Sequence, residues 1–186
     1  SLPGEFNVRN AAMALAMLET AGLAFDDVAD GLCSAQVPGR MERVDLGADA
    51  PTALVDFAHT PQAIASALDA ARSLADSGRL IAVLGAGGDR DAVKRGPMGQ
   101  VAAERADIVV ITDDNPRTED PAVIRAAVLE GAHDAADDGI IVVDGGRRRE
   151  AINEALRMAE AGDVICVLGK GHETGPVSYT HLTLPT

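Results

Sequence analysis

The stretch Thr112-Asp113-Asp114-Asn115-Pro116-Arg117-Thr118-Glu119-Asp120-Pro121 gathers an amide, a guanidinium and several carboxylates around a rigid proline. Such donors and acceptors suit a ligand that carries both ammonium and carboxylate groups, for example an amino acid. Three other stretches have a comparable make-up: Asp56-Phe57-Ala58-His59-Thr60-Pro61, Gly85-Ala86-Gly87-Gly88-Asp89-Arg90-Asp91 and Gly169-Lys170-Gly171-His172-Glu173. Each pairs flexible or rigid backbone with charged groups, and each follows a short apolar run. Loops at the carboxyl ends of strands are where open α/β sheets place their ligands, so the four are expected to share one rim.

Other chemistries fit these residues less well. Gly85-Ala86-Gly87-Gly88 follows a strand, but Arg90 stands at the sixth position and the next strand ends Ile111-Thr112 without an acid, so it is no dinucleotide fingerprint. Gly169-Lys170-Gly171 has no Ser or Thr after its lysine and no spaced upstream glycine, so it is no Walker A loop. His59 reads as a loop anchor beside Thr60 rather than as a base. Arg147-Arg148-Arg149 opens a helix and reads as a solvated face rather than an anion site. No CxxC pair and no HExxH motif points to a metal.

The elements that must hold these loops alternate regularly. The runs 41–46 and 53–57 are strand-like and too closely joined for a crossover, which predicts a hairpin. The segment 61–76 is helical, with Ile64, Ala67, Leu68, Ala71 and Leu74 on one face, Thr60 as cap and Pro61 at its first position. Strands over 80–84, 107–111, 140–143 and 164–168 alternate with helices over 97–105, 121–133 and 147–161. Asp120 caps the second of those helices, and Ile152, Ala155, Leu156 and Ala159 face inward on the third. This pattern predicts a Rossmann-like, mixed but mostly parallel sheet flanked by helices, with right-handed crossovers.

Residues 1–36 are different. Val8, Ala11, Ala12, Leu15 and Leu18 share a helical face, Gly22 ends that helix, and Phe25, Val28 and Leu32 mark a second one. Two short helices do not make a domain, and they read as the helical end of another. The expected division is therefore 1–36, a helical stub; 37–175, the α/β domain; and 176–186. The Thr/Leu/Pro string of the last segment breaks the alanine-rich, acidic style and reads as a non-native tail.

Bulk properties narrow the field. Hydrophobic residues make up 47% and aromatic residues 2% of the 186, so the core must be built from Ala, Val, Leu and Ile. A net charge of −13 argues against a basic nucleic-acid footprint. No apolar run reaches the roughly 18 residues of a membrane span, and no signal peptide opens the chain. Cys33 and Cys166 sit in apolar surroundings and read as buried free thiols in a reducing cytoplasm.

In order and spacing, one set of motifs resembles the Mur ligase family over residues 1–175. It comprises Phe6-Asn7-Val8 with Asn10, Ala11 and Ala12; Gly39-Arg40-Met41-Glu42; Asp56 to Pro61; Gly87-Gly88-Asp89-Arg90-Asp91; Asp113 to Arg117; and Gly169 to Glu173. Asp114-Asn115-Pro116-Arg117 resembles the motif of the branch that adds meso-diaminopimelate. Phe57 stands where the family usually has Tyr. The Asp56–Pro61 element is shared with the wider superfamily, which includes folylpolyglutamate synthetases.

The resemblance implies an ATP-dependent acid–amino-acid ligase of peptidoglycan biosynthesis, cytoplasmic and monomeric, serving the cell wall and so cell shape and division. ATP would phosphorylate a carboxylate of UDP-N-acetylmuramoyl-L-Ala-D-Glu, with Mg²⁺ neutralising phosphate charge, and the amino acid would displace phosphate from the acyl phosphate. For meso-diaminopimelate it implies Arg90 and Arg117 on the distal carboxylate, Asp114 and Glu173 on the distal ammonium, Asn115 on either end, Pro116 in the loop, and close backbone approach at Gly169. On the nucleotide side it implies Asn7 near adenine, Asp56 at the ribose, Arg40 at the phosphates, and His59. The stub at 1–36 would end the central ATPase domain. The P-loop and the family's carbamylated lysine have no counterpart here, so no catalytic residue is assigned and the chain alone is expected to be inactive. The alternatives are a sister Mur or folylpolyglutamate-type ligase using another amino acid, and a non-catalytic α/β amino-acid-binding module.

Overall fold

A computed structural model describes residues 4–35, 37–75 and 77–170. Two helices, α1 (Glu5–Thr20) and α2 (Phe25–Ser34), come first, followed by a hairpin of β1 (Glu42–Val44) and β2 (Thr52–Asp56). The chain then alternates: α3 (Pro61–Arg72), β3 (Leu80–Leu84), a 3₁₀ turn (Ala92–Lys94), α4 (Arg95–Ala103), β4 (Ile108–Thr112), α5 (Pro121–Ala135), β5 (Ile141–Gly146), α6 (Arg148–Met158) and β6 (Val164–Leu168). Among the described residues these strands form one six-stranded sheet in the order β1-β2-β6-β3-β4-β5. Only β1 runs antiparallel, so the expected mixed, mostly parallel sheet is present.

The sheet is covered on both faces, which is why its central strands read as unbroken apolar runs. Alternate residues divide between the faces. Leu80, Ala82 and Leu84 pack with Ile64, Leu68, Met98, Ala102, Ile124 and Val128 of α3, α4 and α5. Ile81 and Val83 join Ala151 and Ala155 of α6. Many of the inward residues on these helices are alanines, which lets the helices sit close to the strands.

Local signals account for several boundaries. The Thr60 hydroxyl accepts the Ala63 N–H at 3.3 Å, with Pro61 opening α3, and the Asp120 carboxylate accepts the Ala122 N–H at 2.8 Å ahead of Pro121. α3 stops at Arg72, short of the expected end at 76, so Leu74 leaves the inward face and is 43% exposed. α4 begins at Arg95, and Pro97 sits at its third position, where no intrahelical N–H is required.

Two further sequence expectations are corrected. Cys33 is exposed, because α2 has no buried residue to shelter it; Cys166 is buried as expected, in β6. In the run Arg147-Arg148-Arg149, the outer two are exposed but Arg148 is buried. The first turn of α6 passes under the ends of β4 and β6, and Arg148 points beneath the rim rather than into solvent.

Candidate functional site

The four loops meet. A cavity of about 450 Å³ is lined by Phe57 and His59 after β2, by Gly85–Gly87 and Arg90 after β3, by Lys94 and Met98, by Asp114, Asn115 and Arg117 after β4, and by Gly169 and Lys170 after β6. Its charged lining comprises Arg90, Lys94, Arg117 and Lys170 against the one carboxylate of Asp114. In a protein of net charge −13 that is a local reversal of sign, which favours acidic ligands while keeping one acceptor for a cation.

The glycine-rich loop and the loop after β4 are clasped together. Gly88 donates its N–H to Asn115 O at 2.8 Å, and Arg117 Nη1 donates to Gly88 O. A Cβ on Gly88 would lie 1.9 Å from Pro116 O, so only glycine permits this approach. Asp89 and Arg117 both adopt left-handed backbone, each with φ of 50°. That conformation is costly for non-glycine residues and persists where its surroundings enforce it. The Asp89 carboxylate accepts from Thr118 N (3.0 Å) and Thr118 Oγ1 (2.8 Å), and Asp89 N donates to Glu119 Oε1 at 2.5 Å. Glu119 takes a bidentate pair from the buried Arg95 at 2.7 and 2.9 Å, and Arg95 also donates to Gly87 O at 3.3 Å.

These contacts set the ionisation of the clasp. Thr118, through its N–H and then its hydroxyl, holds the Asp89 carboxyl below the usual range. Arg95 does the same for Glu119, helped by the Asp89 N–H. Pro116 does not line the cavity; it presses on Gly88 and its carbonyl accepts the Glu119 N–H at 3.0 Å.

Asp113 and Asp114 point in different directions. Asp113 is paired with Arg125, which also binds Asp144 at 2.7 Å, so it is turned away from the cavity. Asp114 faces it, with Lys170 Nζ 3.0 Å and Arg148 Nη2 3.7 Å from its Oδ1. Gly169, with φ of 85°, makes the turn that brings Lys170 back over the sheet edge.

A second cavity, about 460 Å³, lies between α1 and the hairpin end and is lined by Phe6, Asn7, Asn10, Arg40, Asp56, Ala58 and Ala63 among others. Asn7, Arg40 and Asp56 are thus brought together. The Asp56 carboxylate accepts from Met41 N at 2.9 Å and Ala58 N at 2.8 Å, and the Arg40 guanidinium lies over the Phe57 ring at 4.9 Å. His59 does not join them: it lies in the first cavity, with Nδ1 2.8 Å from Phe57 O, as a loop anchor would. Glu173, like Gly171, His172 and the segment 176–186, lies outside the described residues.

Residue types alone did not single out Lys94, Arg95, Glu119 or Arg148. Lys94 reaches His59 O at 2.9 Å and ties the β2 loop to the glycine-rich loop. For Lys94, Arg95 and Glu119 the available signal was positional, since each lies in or within a few residues of a rim loop and next to a helix start; Arg148 lies near none of the four loops in sequence.

This mixed sheet, with its four loops meeting in one cavity at the strand ends, defines a Rossmann-like α/β domain with a ligand site on its rim. The model of the Mur ligase glutamate ligase domain matches residues 39–171, and the chain belongs to the Mur ligase family. It is 52% identical over 178 residues to the UDP-N-acetylmuramoyl-L-alanyl-D-glutamate–2,6-diaminopimelate ligase of Corynebacterium glutamicum, covering 94% of this chain and 34% of that protein. A solved structure of a ligase with the same name superposes with a TM-score of 0.67 at 40% identity, covering 92% of this chain and 34% of that one. Folylpolyglutamate synthase of Mycobacterium tuberculosis, solved with ADP and AMPPCP, superposes with a TM-score of 0.65 at 25% identity, over 91% of this chain and 38% of that one. The chain therefore spans about a third of the length of the relatives it matches.

Proposed function

We propose that this chain is the amino-acid-selecting third of a ligase that joins meso-diaminopimelate to UDP-N-acetylmuramoyl-L-Ala-D-Glu. The observation that carries the reading is the cavity in which Arg90, Arg117 and Asp114 converge. Two planar guanidinium groups suit the distal carboxylate, and the carboxylate of Asp114 suits the distal ammonium. Asn115 can serve either end, Gly169 leaves room for the ligand's backbone atoms, and Glu173 is proposed as a second acceptor. Lysine has the ammonium but no distal carboxylate.

ATP is the second substrate. The amide of Asn7, the carboxylate of Asp56 and the guanidinium of Arg40 are polar groups that fit base, ribose and phosphates respectively, and they share one cavity. In the complete ligase the γ-phosphoryl group passes to the acceptor carboxylate, the amino group attacks the carbonyl carbon, and phosphate leaves as the amide forms. The contribution of this chain is to bind and orient the nucleophile, which by itself can supply much of the acceleration. Mg²⁺ would neutralise the phosphates. Among the described residues no three His, Cys, Asp or Glu side chains converge on one point.

The segment 1–36 is proposed as the end of the central ATP-binding domain and 37–175 as the carboxyl-terminal domain. Val8, Met13, Met17 and Phe25 expose apolar surface on α1 and α2, as a surface covered by further protein would. No helix among the described residues is long and apolar enough to cross a membrane, and the proposed site of action is the cytoplasm.

The test is amino-acid-dependent phosphate release by the complete ligase. Diaminopimelate should be preferred over lysine by ~10⁴-fold in kcat/KM, because lysine leaves the two arginines unpaired. Arg117→Ala should abolish most of that preference and leave the KM for ATP unchanged. Equal use of the two amino acids by the parent enzyme defeats the assignment.

A further inference from the structure

The site's motifs include none of the charged residues that open α6, yet one of them, Arg148, is buried, its side chain only 7% exposed. Its Nη1 donates to Leu168 O at 3.1 Å and its Nε to Asp113 O at 3.3 Å, so it spans the ends of β6 and β4 beneath the rim. Its Nη2 has no hydrogen-bond partner although it is buried, and it faces Asp114 Oδ1 at 3.7 Å. A Cβ on Gly169 would lie 3.8 Å from the same Nη2, placing the group directly under the cavity floor. A cation at a helix amino terminus opposes the helix dipole and loses its hydration when buried. Two carbonyl contacts do not require a charge there; an anion that must be held does.

We propose that Arg148 is a positioning residue: from below the cavity it holds the Asp114 carboxylate aimed upward, so that Asp114 selects amino acids bearing a distal ammonium. The proposal rests on the reading of the cavity as an amino-acid site. It differs from that reading in the group it concerns, the ammonium rather than the distal carboxylate. Lys170 sits on Asp114 from the cavity side, where a ligand ammonium would arrive, whereas Arg148 approaches from the side the ligand never reaches.

Two pairs of amino acids isolate the ammonium in the complete ligase. meso-Diaminopimelate against 2-aminopimelate differ only in the distal amino group; lysine against norleucine repeat the comparison without a distal carboxylate. The parent should favour the amino-bearing member of each pair. Arg148→Met and Arg148→Lys should each reduce that preference by ~10-fold or more, the scale on which a misaimed ionic partner discriminates, with 2-aminopimelate use and the KM for ATP little changed. In an Asp114→Asn background the Arg148 substitutions should reduce it no further. General damage lowers both members of a pair equally and leaves the preference intact; that result, a parent indifferent to the distal amino group, or an additive effect on Asp114→Asn overturns the proposal. Arg148→Lys keeps the buried charge and covers the case in which Arg148→Met does not fold. The reading of the cavity is scored separately by diaminopimelate against lysine, and if it falls the lysine–norleucine pair still decides the role of Arg148.

Discussion

Thr118 donates its backbone N–H and its hydroxyl to the Asp89 carboxylate, at 3.0 and 2.8 Å, across loops 29 residues apart. The pair includes one left-handed residue of the clasp, Asp89, and adjoins the other, Arg117, and so fixes where the Arg117 guanidinium can reach. Thr118→Val keeps the N–H bond and removes the hydroxyl. In the complete ligase it should raise the KM for diaminopimelate ~10-fold, a cost typical of a small misplacement of a binding group, and leave the KM for ATP as it was. Steady-state kinetics with each substrate varied in turn decides it.

Gly88→Ala tests the approach of the two loops. The added methyl meets Pro116 O at 1.9 Å, so one loop must move and the Gly88–Asn115 bond must stretch. The expected result is a ~100-fold loss of kcat/KM for diaminopimelate with the far-ultraviolet circular dichroism of the parent. A fully active variant would show that the clasp does not set the cavity.

Asp163 supplies a pH-dependent contribution to stability. It accepts from the Arg79 guanidinium at 2.7 and 3.1 Å and from the N–H groups of Arg79 (2.7 Å) and Glu160 (2.9 Å). Burial alone would raise its carboxyl, but the Arg79 side chain and then the two N–H groups outweigh that and hold it below the ordinary value. With the folded value depressed, the stabilisation is complete above the unfolded value of about 3.9 and is lost as pH falls from there through the folded one. Asp163→Asn should cost about 1–3 kcal/mol at pH 7 and show a shallower loss of stability below about pH 4. Urea unfolding from pH 7 to pH 3 measures both; an acid limb as steep as the parent's places the titrating group elsewhere.

The two thiols should separate cleanly. Cys33 is exposed, whereas Cys166 is fully buried, and burial, with a smaller push from Asp56, drives its thiol far up. A disulfide reagent should titrate one thiol in the native protein and the second only on unfolding. Rapid modification of both would contradict the burial of β6.

The sequence was most legible where period and capping agree. Thr60-Pro61 and Asp120-Pro121 marked helix starts, and 80–84 and 164–168 marked central strands, all as found. The convergence of four loops was also readable, because parallel strands force their carboxyl ends to one side. Arg148 was not. Three consecutive arginines have no period, and which of them is buried depends on how the first turn of α6 meets β4 and β6. Cys33 failed for a related reason: an apolar neighbourhood in sequence buries a residue only if something packs on that face. His59 illustrates a third limit, since its neighbours Asp56 and Ala58 line one cavity and it lines the other.

The strand that comes last among the described residues, β6, sits in the middle of the sheet. β6 pairs with β2 on one side and β3 on the other, so until residues 164–168 are available β2 and β3 have no common partner. During synthesis the β1–β2 hairpin must wait, one edge unsatisfied, while more than half the chain emerges. Folding by this route is governed by long-range pairing and is slow relative to local helix formation, and the waiting apolar edge is a point of recruitment for chaperones or for misassembly. The strand that carries Gly169 and Lys170 to the cavity is therefore also the one whose arrival closes the sheet, so the ligand site cannot form ahead of the fold that supports it.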